Sequence, residues 1–384
     1  MSRLRLANLS YTQLLEIAVE ACERSPELKN KADALIAKVA PLPSWCVDVL
    51  LSPDLLPQLF SSLGLTEHAA AGVCTTWSRA YSRQLRRCCY VDPRSERQLS
   101  DVPDAPTGLC MLPGGVLAIT GNLGGHVDGN EGGLTFVAAR NDSDPQALAA
   151  CRASSLATTR FEFLMGLALT NDGLLACNDD TSTAMYKFAK DGSMDELATV
   201  PALADYGRGF MRCAVHQQTQ RTYAIGEDKE GNQALFLLDA NLQVVATVED
   251  VADVAGGDPI CDVAVHGDQV IVLTSDHHPK GSGLRLLDLD GRCLRTIAAG
   301  QLRNPQAVTA SHGRAFVVDD EDDDDDDQGN MLHVIDIQSG NYLQSVRLEL
   351  HNSVSDILVD GDEIYIAGFG DREVVVLQLA GSEA

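Results

Sequence analysis

Several polar side chains are of types that bind metal ions or carry out hydrolysis. Asp276, His277 and His278 are consecutive, and imidazole and carboxylate are common metal ligands, but no further ligand follows at metal-site spacing. We therefore favour a solvated loop there. The run from Asp319 to Asp327 lacks the glycine and closing glutamate of an EF-hand, which predicts an extended, hydrated loop with at most weak calcium association. No Gly-x-Ser-x-Gly, P-loop or His-Glu-x-x-His motif is present, so we expect no catalytic residues, metal or cofactor.

Arginine and aromatic side chains form a second group of candidates. They dominate protein interfaces because they bury large areas with few rotatable bonds, and arginine donates several hydrogen bonds. The positions predicted to bind a client protein are Tyr206, Arg208, Phe210, Arg212, Arg303 and Arg372, with Phe161, Phe163, His277 and His278 as further candidates. The alternative is that these arginines only satisfy carbonyl groups of nearby loops.

A repeat of short strands must position these side chains. Gly173, Gly267, Gly313 and Gly361 each lie in a polar turn between apolar strands, and the last three are 46 and 48 residues apart. The interval from Gly173 to Gly267 is 94 residues, or two periods with one degenerate copy between them. Such a period is typical of a β-propeller, and copies beginning near residues 106, 165, 211, 260, 306 and 354 predict six blades. Ordinary hairpins of another all-β fold are the alternative.

The sixth copy ends after its third strand, at residues 374–379. An unpaired edge promotes aggregation, so we expect a strand near residues 88–99 to supply the missing partner, and we assign 88–384 to the propeller. In a four-stranded blade, the loops between second and third strands and between blades emerge on one face, where the candidate side chains should lie.

The chain contains Asp-Gly and Pro-x-Gly-Leu motifs, each followed by an apolar strand. In these motifs it resembles the NHL-type six-bladed propeller over roughly residues 101–379. Six-bladed propellers include lactonase-like hydrolases that hold calcium on the axis. The residues that could supply such ligands are Asn178, Asp179, Asp228 and Asp262. A calcium-dependent hydrolase is therefore the alternative to a binding protein.

The first 87 residues have helical periodicity, with Ser10 and Gln13 forming a capping-box pattern. We divide them into a helical segment, 1–47, and a module, 48–87. The module resembles an F-box, which implies docking to the adaptor of a cullin-RING ubiquitin ligase. Its adaptor-binding residues would be Pro53, Leu55, Leu56, Leu59, Phe60, Val73 and Trp77. Ser52 replaces the usual leucine and Pro57 should kink the first helix. A helical cap on the propeller is the alternative.

Composition narrows the classes of partner. The net charge of −26 argues against nucleic acids and anionic membranes, which require positive surfaces. Eleven cysteines without a Cys-x-x-Cys pair indicate a reducing compartment. The sequence lacks an apolar stretch long enough for a signal peptide or a membrane span, so we expect neither. The sequence thus predicts a mainly β, six-bladed propeller preceded by a small helical F-box-like domain. We expect a cytoplasmic or nuclear, non-enzymatic substrate receptor, monomeric apart from its adaptor and client.

Overall fold

The computed structural model describes residues 90–122, 131–153, 160–162, 164–178, 183–189, 196–201, 210–227, 233–248, 260–275, 282–320, 329–350, 353–369 and 373–380. The segments 1–47 and 48–87, with all of the predicted adaptor-binding residues, lie outside these ranges. The strands described below all belong to the propeller.

Within the described ranges, twenty-four strands form six sheets of four antiparallel strands each, and each sheet is one blade. Blades one to three consist of β2 (Asp104–Leu112), β3 (Val116–Asn122), β4 (Glu131–Ala138) and β5 (Arg160–Glu162); β6 (Leu164–Leu169), β7 (Gly173–Asn178), β8 (Thr183–Ala189) and β9 (Glu196–Pro201); and β10 (Phe210–His216), β11 (Arg221–Glu227), β12 (Gln233–Leu238) and β13 (Val244–Val248).

Blades four to six follow the same order from the inside outward. They consist of β14 (Ile260–His266), β15 (Gln269–Thr274), β16 (Gly283–Asp288) and β17 (Cys293–Ile297); β18 (Pro305–Ser311), β19 (Arg314–Asp320), β20 (Asn330–Asp336) and β21 (Tyr342–Arg347); and β22 (Val354–Asp360), β23 (Glu363–Gly368), β24 (Glu373–Ala380) and β1 (Tyr90–Gln98). Each inner strand contacts the inner strand of the next blade, and β22 contacts β2, so the ring is closed. The predicted six-bladed propeller is confirmed.

The core lies between blades rather than within them. Six clusters of buried apolar side chains occur in the described residues, and each combines two neighbouring blades. Phe316 of blade five and Ile366 of blade six belong to one cluster, and Leu117 of blade one and Tyr365 of blade six belong to another. Burial of each such side chain stabilises the fold by about 1.5–3 kcal/mol. Because every blade needs two neighbours to cover its faces, the sheets close into a ring.

The turns between first and second strands explain the spacing of the glycines. Gly267, Gly313 and Gly361 have φ angles of 54°, 73° and 62°, in the left-handed region that glycine adopts most readily. Gln220 has a φ angle of 55° and lies 47 residues before Gly267. The degenerate third copy therefore keeps a positive φ at this point without a glycine, but in a longer turn: four residues separate His216 from its partner Arg221, against two between His266 and Gln269.

The N-terminal strand supplies the outer strand that the sixth repeat lacks. β1 pairs antiparallel with β24, from Tyr90 opposite Ala380 to Gln98 opposite Val375. Blade five holds it from the side, because the Gln344 amide accepts from the Val91 N–H at 2.7 Å and donates to the Val91 carbonyl at 2.9 Å. The chain thus enters the propeller at its outer edge.

A charged cluster joins this closing blade to blade one. The Glu363 carboxylate accepts from Arg97 at 2.9 Å, from Arg140 at 2.6 Å and from the Tyr365 hydroxyl at 2.5 Å. Burial opposes ionisation of Glu363, but these hydrogen bonds outweigh it and lower its pKa to about 2. Arg140 follows the third strand of blade one, so this ion pair ties the two blades that close the ring.

Blade one also contains a helix that the sequence analysis did not predict, α1 (Pro145–Ala153), between β4 and β5. Asp144 caps it by accepting from the Gln146 N–H, and Pro145 occupies its first turn. The apolar periodicity of its sequence is weak, and Cys151 is the one buried residue among its nine. Within the described ranges, no helix has the length and apolar character needed to cross a membrane.

Candidate functional site

Each inner strand contains a β-bulge near its start. The register with the second strand shifts by one residue between Pro106 and Gly108, Leu164 and Leu167, Phe210 and Arg212, Ile260 and Asp262, Pro305 and Ala307, and Val354 and Asp356. A bulge changes the direction in which nearby side chains point. The six positions just after these bulges are equivalent in the strand register, and those of blades two, three, four and six line the axial channel.

We call these positions the axial ring: Gly108, Gly166, Arg212, Asp262, Ala307 and Asp356. Half of the ring carries little or no side chain. A Cβ atom on Gly108 would lie 2.2 Å from the carbonyl oxygen of Met165, so blades one and two approach too closely there for a larger residue. The polar groups of the ring are therefore confined to blades three, four and six; Arg212, Asp262 and Asp356 are called the polar cluster below.

The two aspartates hold neighbouring blades together. Asp262 accepts from the N–H of Val263 at 2.8 Å and from the N–H of Val308, in blade five, at 2.7 Å. Asp356 repeats this arrangement and accepts from Leu109, in blade one, at 2.6 Å. Each carboxylate thus links its own blade to the next one.

Arg212 reaches across the ring. One terminal nitrogen donates to the Met211 carbonyl at 3.0 Å, and the other donates to the Ser355 carbonyl at 2.6 Å, in the blade opposite. Its Nε is buried with no hydrogen-bond partner among the described residues. The guanidinium therefore bridges blades three and six while its charge acts on both carboxylates.

Burial in the channel changes the acidity of the two aspartates. Burial raises the pKa of Asp262 to about 7, helped by the charge of Asp356 and opposed by Arg212. Burial likewise raises the pKa of Asp356 to about 6, again opposed by Arg212. The pair therefore retains protons at pH values where an exposed aspartate is fully ionised.

The channel wall becomes aliphatic beyond the polar cluster. The cavity, of about 240 Å³, continues toward the face where the inner strands end, which we call the turn face. The half-buried side chains lining this part are Met111, Leu169, Val215, Val265, Ala310 and Leu358. The channel thus joins a charged level to an apolar tunnel.

Several candidates from the sequence lie in strands rather than in loops, so their expected location was wrong. Phe210 begins β10 and is 3% exposed, with its ring centroid 5.3 Å from that of Phe236. Phe161 lies in β5 and packs on Tyr186 and Phe188. The repeat pattern did not reveal how early these strands begin. Phe210 in particular offers a client no surface because its ring is part of the core.

Arg303 is an exposed candidate on the opposite face, formed by the loops between second and third strands and between blades, which we call the loop face. Its N–H donates to Asp319 at 2.9 Å. Asp319 and Asp320 belong to β19, and Asp319 is 1% exposed, so the expected hydrated loop does not begin at Asp319. Residues 321–327 of that run lie outside the described ranges. The other candidates lie outside the described ranges: Phe163, Asp179, Tyr206, Arg208, Asp228, His277, His278 and Arg372.

Asp262, one of the possible calcium ligands named from the sequence, lies on the axial channel. The polar residues that line the channel with it are Arg212 and Asp356, which were not among those possible ligands. Asn178 ends β7. No group of three or more His, Cys, Asp or Glu side chains in the described ranges is arranged to hold a metal ion. Asp356 was not singled out, although it lies 94 residues after Asp262, two repeats along. An alignment of the repeats would have placed Asp262 and Asp356 at the same position.

No protein-family model matches the chain, and no curated protein matches it. Among solved structures, the WD40 propeller domain of Doa1 is similar, with a TM-score of 0.47 and 14% identity over 71% of this chain and 78% of that one. A Bacteroides thetaiotaomicron protein of unknown function gives 0.49 and 12%, over 75% and 73%. BamB from Moraxella catarrhalis gives 0.42 and 12%, over 75% and 100%. The class of the protein, a six-bladed β-propeller, therefore rests on its own strand topology.

Proposed function

We propose that this protein is a non-catalytic receptor whose propeller binds a client protein through its loop face. The fold is typical of protein-interaction modules. The observation that carries the proposal is the use of the axial polar groups: all four oxygens of Asp262 and Asp356 accept main-chain N–H groups. Groups that hold blades together in this way support a rigid binding platform.

The composition of the polar cluster weighs against a calcium-dependent hydrolase. Calcium takes about six to eight oxygen ligands, and no group of three or more His, Cys, Asp or Glu side chains in the described ranges is arranged to hold a metal ion. Asp262 and Asp356 share the cluster with Arg212, so a divalent cation would exceed its single net negative charge. Stoichiometric calcium and lactone turnover, both lost in Asp262→Asn, would replace our proposal with that one.

The second part of the proposal concerns the N-terminal module. The F-box-like residues between Pro53 and Trp77 would dock to a ubiquitin-ligase adaptor in the cytoplasm or nucleus. The entry of the chain through β1, on the outer edge of blade six, supports this division of labour.

Affinity purification from a eukaryotic cell tests both parts with separate variants. Deletion of residues 48–82 should remove the adaptor and keep the client. Arg303→Ala should weaken the client by about tenfold if it is an interface centre, since such truncations cost about 1–2 kcal/mol. Arg295→Ala, an exposed arginine on the outer strand β17, is the matched control. An adaptor absent from the full-length sample would refute the ligase role, and a client unaffected by Arg303→Ala would refute that contact.

A further inference from the structure

The polar cluster has an unbalanced charge when it is fully ionised. Asp262 and Asp356 carry two negative charges, and Arg212 carries one positive charge. Each carboxylate oxygen accepts one main-chain N–H, which leaves further lone pairs available, because a carboxylate accepts about four hydrogen bonds. One more monovalent cation would therefore neutralise the net negative charge of the fully ionised cluster.

The wall of the channel indicates what kind of cation fits. The apolar tunnel on the turn-face side of the cluster would favour a ligand with an aliphatic stem over a hydrated metal ion. Ala214, Ala264 and Ala310 also line the cavity, and their side chains are single methyl groups. A linear stem ending in an ammonium group combines both properties, as a lysine side chain does.

We propose that the axial channel binds an alkylammonium group, with its stem along the aliphatic wall and its ammonium beside Asp262 and Asp356. The group can belong to a free linear amine or to a lysine of a protein that approaches from the turn face, toward which the tunnel runs. Neither source depends on the client that the proposed function places on the loop face.

Binding should release protons. A cation beside the carboxylates favours their ionised forms, and burial has raised the pKa of both aspartates. Burial also raises the pKa of Cys110 and Cys261, and a hydrogen bond with Cys177 raises that of Cys213, so these thiols stay neutral. The channel linings from β6 and β18 contain no titratable side chain. The aspartates are therefore the source of the released protons.

Titration calorimetry on the full chain tests the proposal with small probes. The probes are 1-aminopentane and Nα-acetyl-lysine methylamide, with 1-pentanol and the Nε-acetylated lysine derivative as uncharged controls. We expect the two amines to bind with a measurable proton release that depends on buffer ionisation, and more tightly at pH 8 than at pH 5.5. The uncharged controls should bind at least about tenfold more weakly.

Two kinds of variant separate the charge from the tunnel. Asp262→Asn should weaken amine binding about tenfold or more and reduce the proton release. Because that change also affects a blade contact, Ala310→Leu provides a second test: it fills the tunnel and leaves the carboxylates intact. Ala149→Leu, on the exposed side of α1, is its matched control and should bind as the unchanged protein does.

The outcomes distinguish this proposal from the receptor function. Equal binding of amines and 1-pentanol, no binding of either amine, or normal binding by Ala310→Leu would each overturn it. Saturation of the channel by Ca²⁺ with no response to amines would also overturn it. Loss of client capture together with unchanged amine binding would refute the receptor function and leave the amine site standing.

Discussion

Replacing Arg212 by methionine should destabilise the propeller, and more so at high pH than at low pH. The change removes the hydrogen bonds to the Met211 and Ser355 carbonyls and the positive charge that offsets Asp262 and Asp356. Removing one partner from a buried group of charges costs about 3–5 kcal/mol while the remaining charges stay ionised. The lost hydrogen bonds alone account for about 1 kcal/mol each.

The sign of the pH dependence follows from the raised pKa values. Asp262 has a pKa of about 7 in the fold and an ordinary value of 3.8, so between these limits the folded protein binds more protons than the unfolded chain. The free energy of unfolding must therefore fall as pH rises through this window and level off above it. Without Arg212 both pKa values rise further, so the fall becomes larger and continues to higher pH.

Urea denaturation followed by far-ultraviolet circular dichroism measures this difference at pH 5, 6.5 and 8. We expect Arg212→Met to lose about 3 kcal/mol or more at pH 8 and about 1–2 kcal/mol at pH 5, where the carboxyls are protonated. The control is Arg295→Met, because Arg295 also joins two blades through carbonyl groups, those of Ile337 and Gln338, on the outer strand. Its loss should be the same at each pH. A loss for Arg212→Met that is independent of pH, or larger at pH 5, would refute the reasoning.

Three further predictions concern closure and turns. Glu363→Gln should cost about 3 kcal/mol at pH 7, and because the pKa of Glu363 is lowered to about 2, the difference in unfolding free energy should shrink as pH falls from 4.5 toward 2; an unchanged difference would contradict this. Gly267→Ala should cost about 1 kcal/mol from backbone strain alone, since its φ is 54° and no atom lies within 4 Å of the added Cβ, and thermal melting with an unchanged midpoint would disprove it. Gln344→Leu removes both hydrogen bonds to Val91, so hydrogen exchange of the β1 amides should become faster than in the unchanged protein, while that of the β24 amides changes less. Exchange rates of the β1 amides that are the same in both proteins would rule this out.

Local chemistry made much of the fold predictable. The turns at Gly267, Gly313 and Gly361 need a left-handed residue, so their spacing records the length of each blade. The incomplete sixth copy leaves an outer strand to be found elsewhere, a position that β1 occupies. In the third copy Gln220 has the positive φ without a glycine and the turn is four residues long, so the third copy was hard to recognise. The helix α1 escaped prediction because its apolar periodicity is weak.

The sequence by itself determined the period, the number of blades and the acidic character of the chain, because these depend on residues close together in the chain or on composition. Only the tertiary structure decided which polar side chains meet at the axis. Arg212 and the Ser355 carbonyl are 143 residues apart, and closure of the ring brings them to 2.6 Å. Bulges set the level of Asp262 and Asp356, and burial there changes their acidity. Contacts of this kind depend on the packing of all six blades, so no single stretch of sequence contains them.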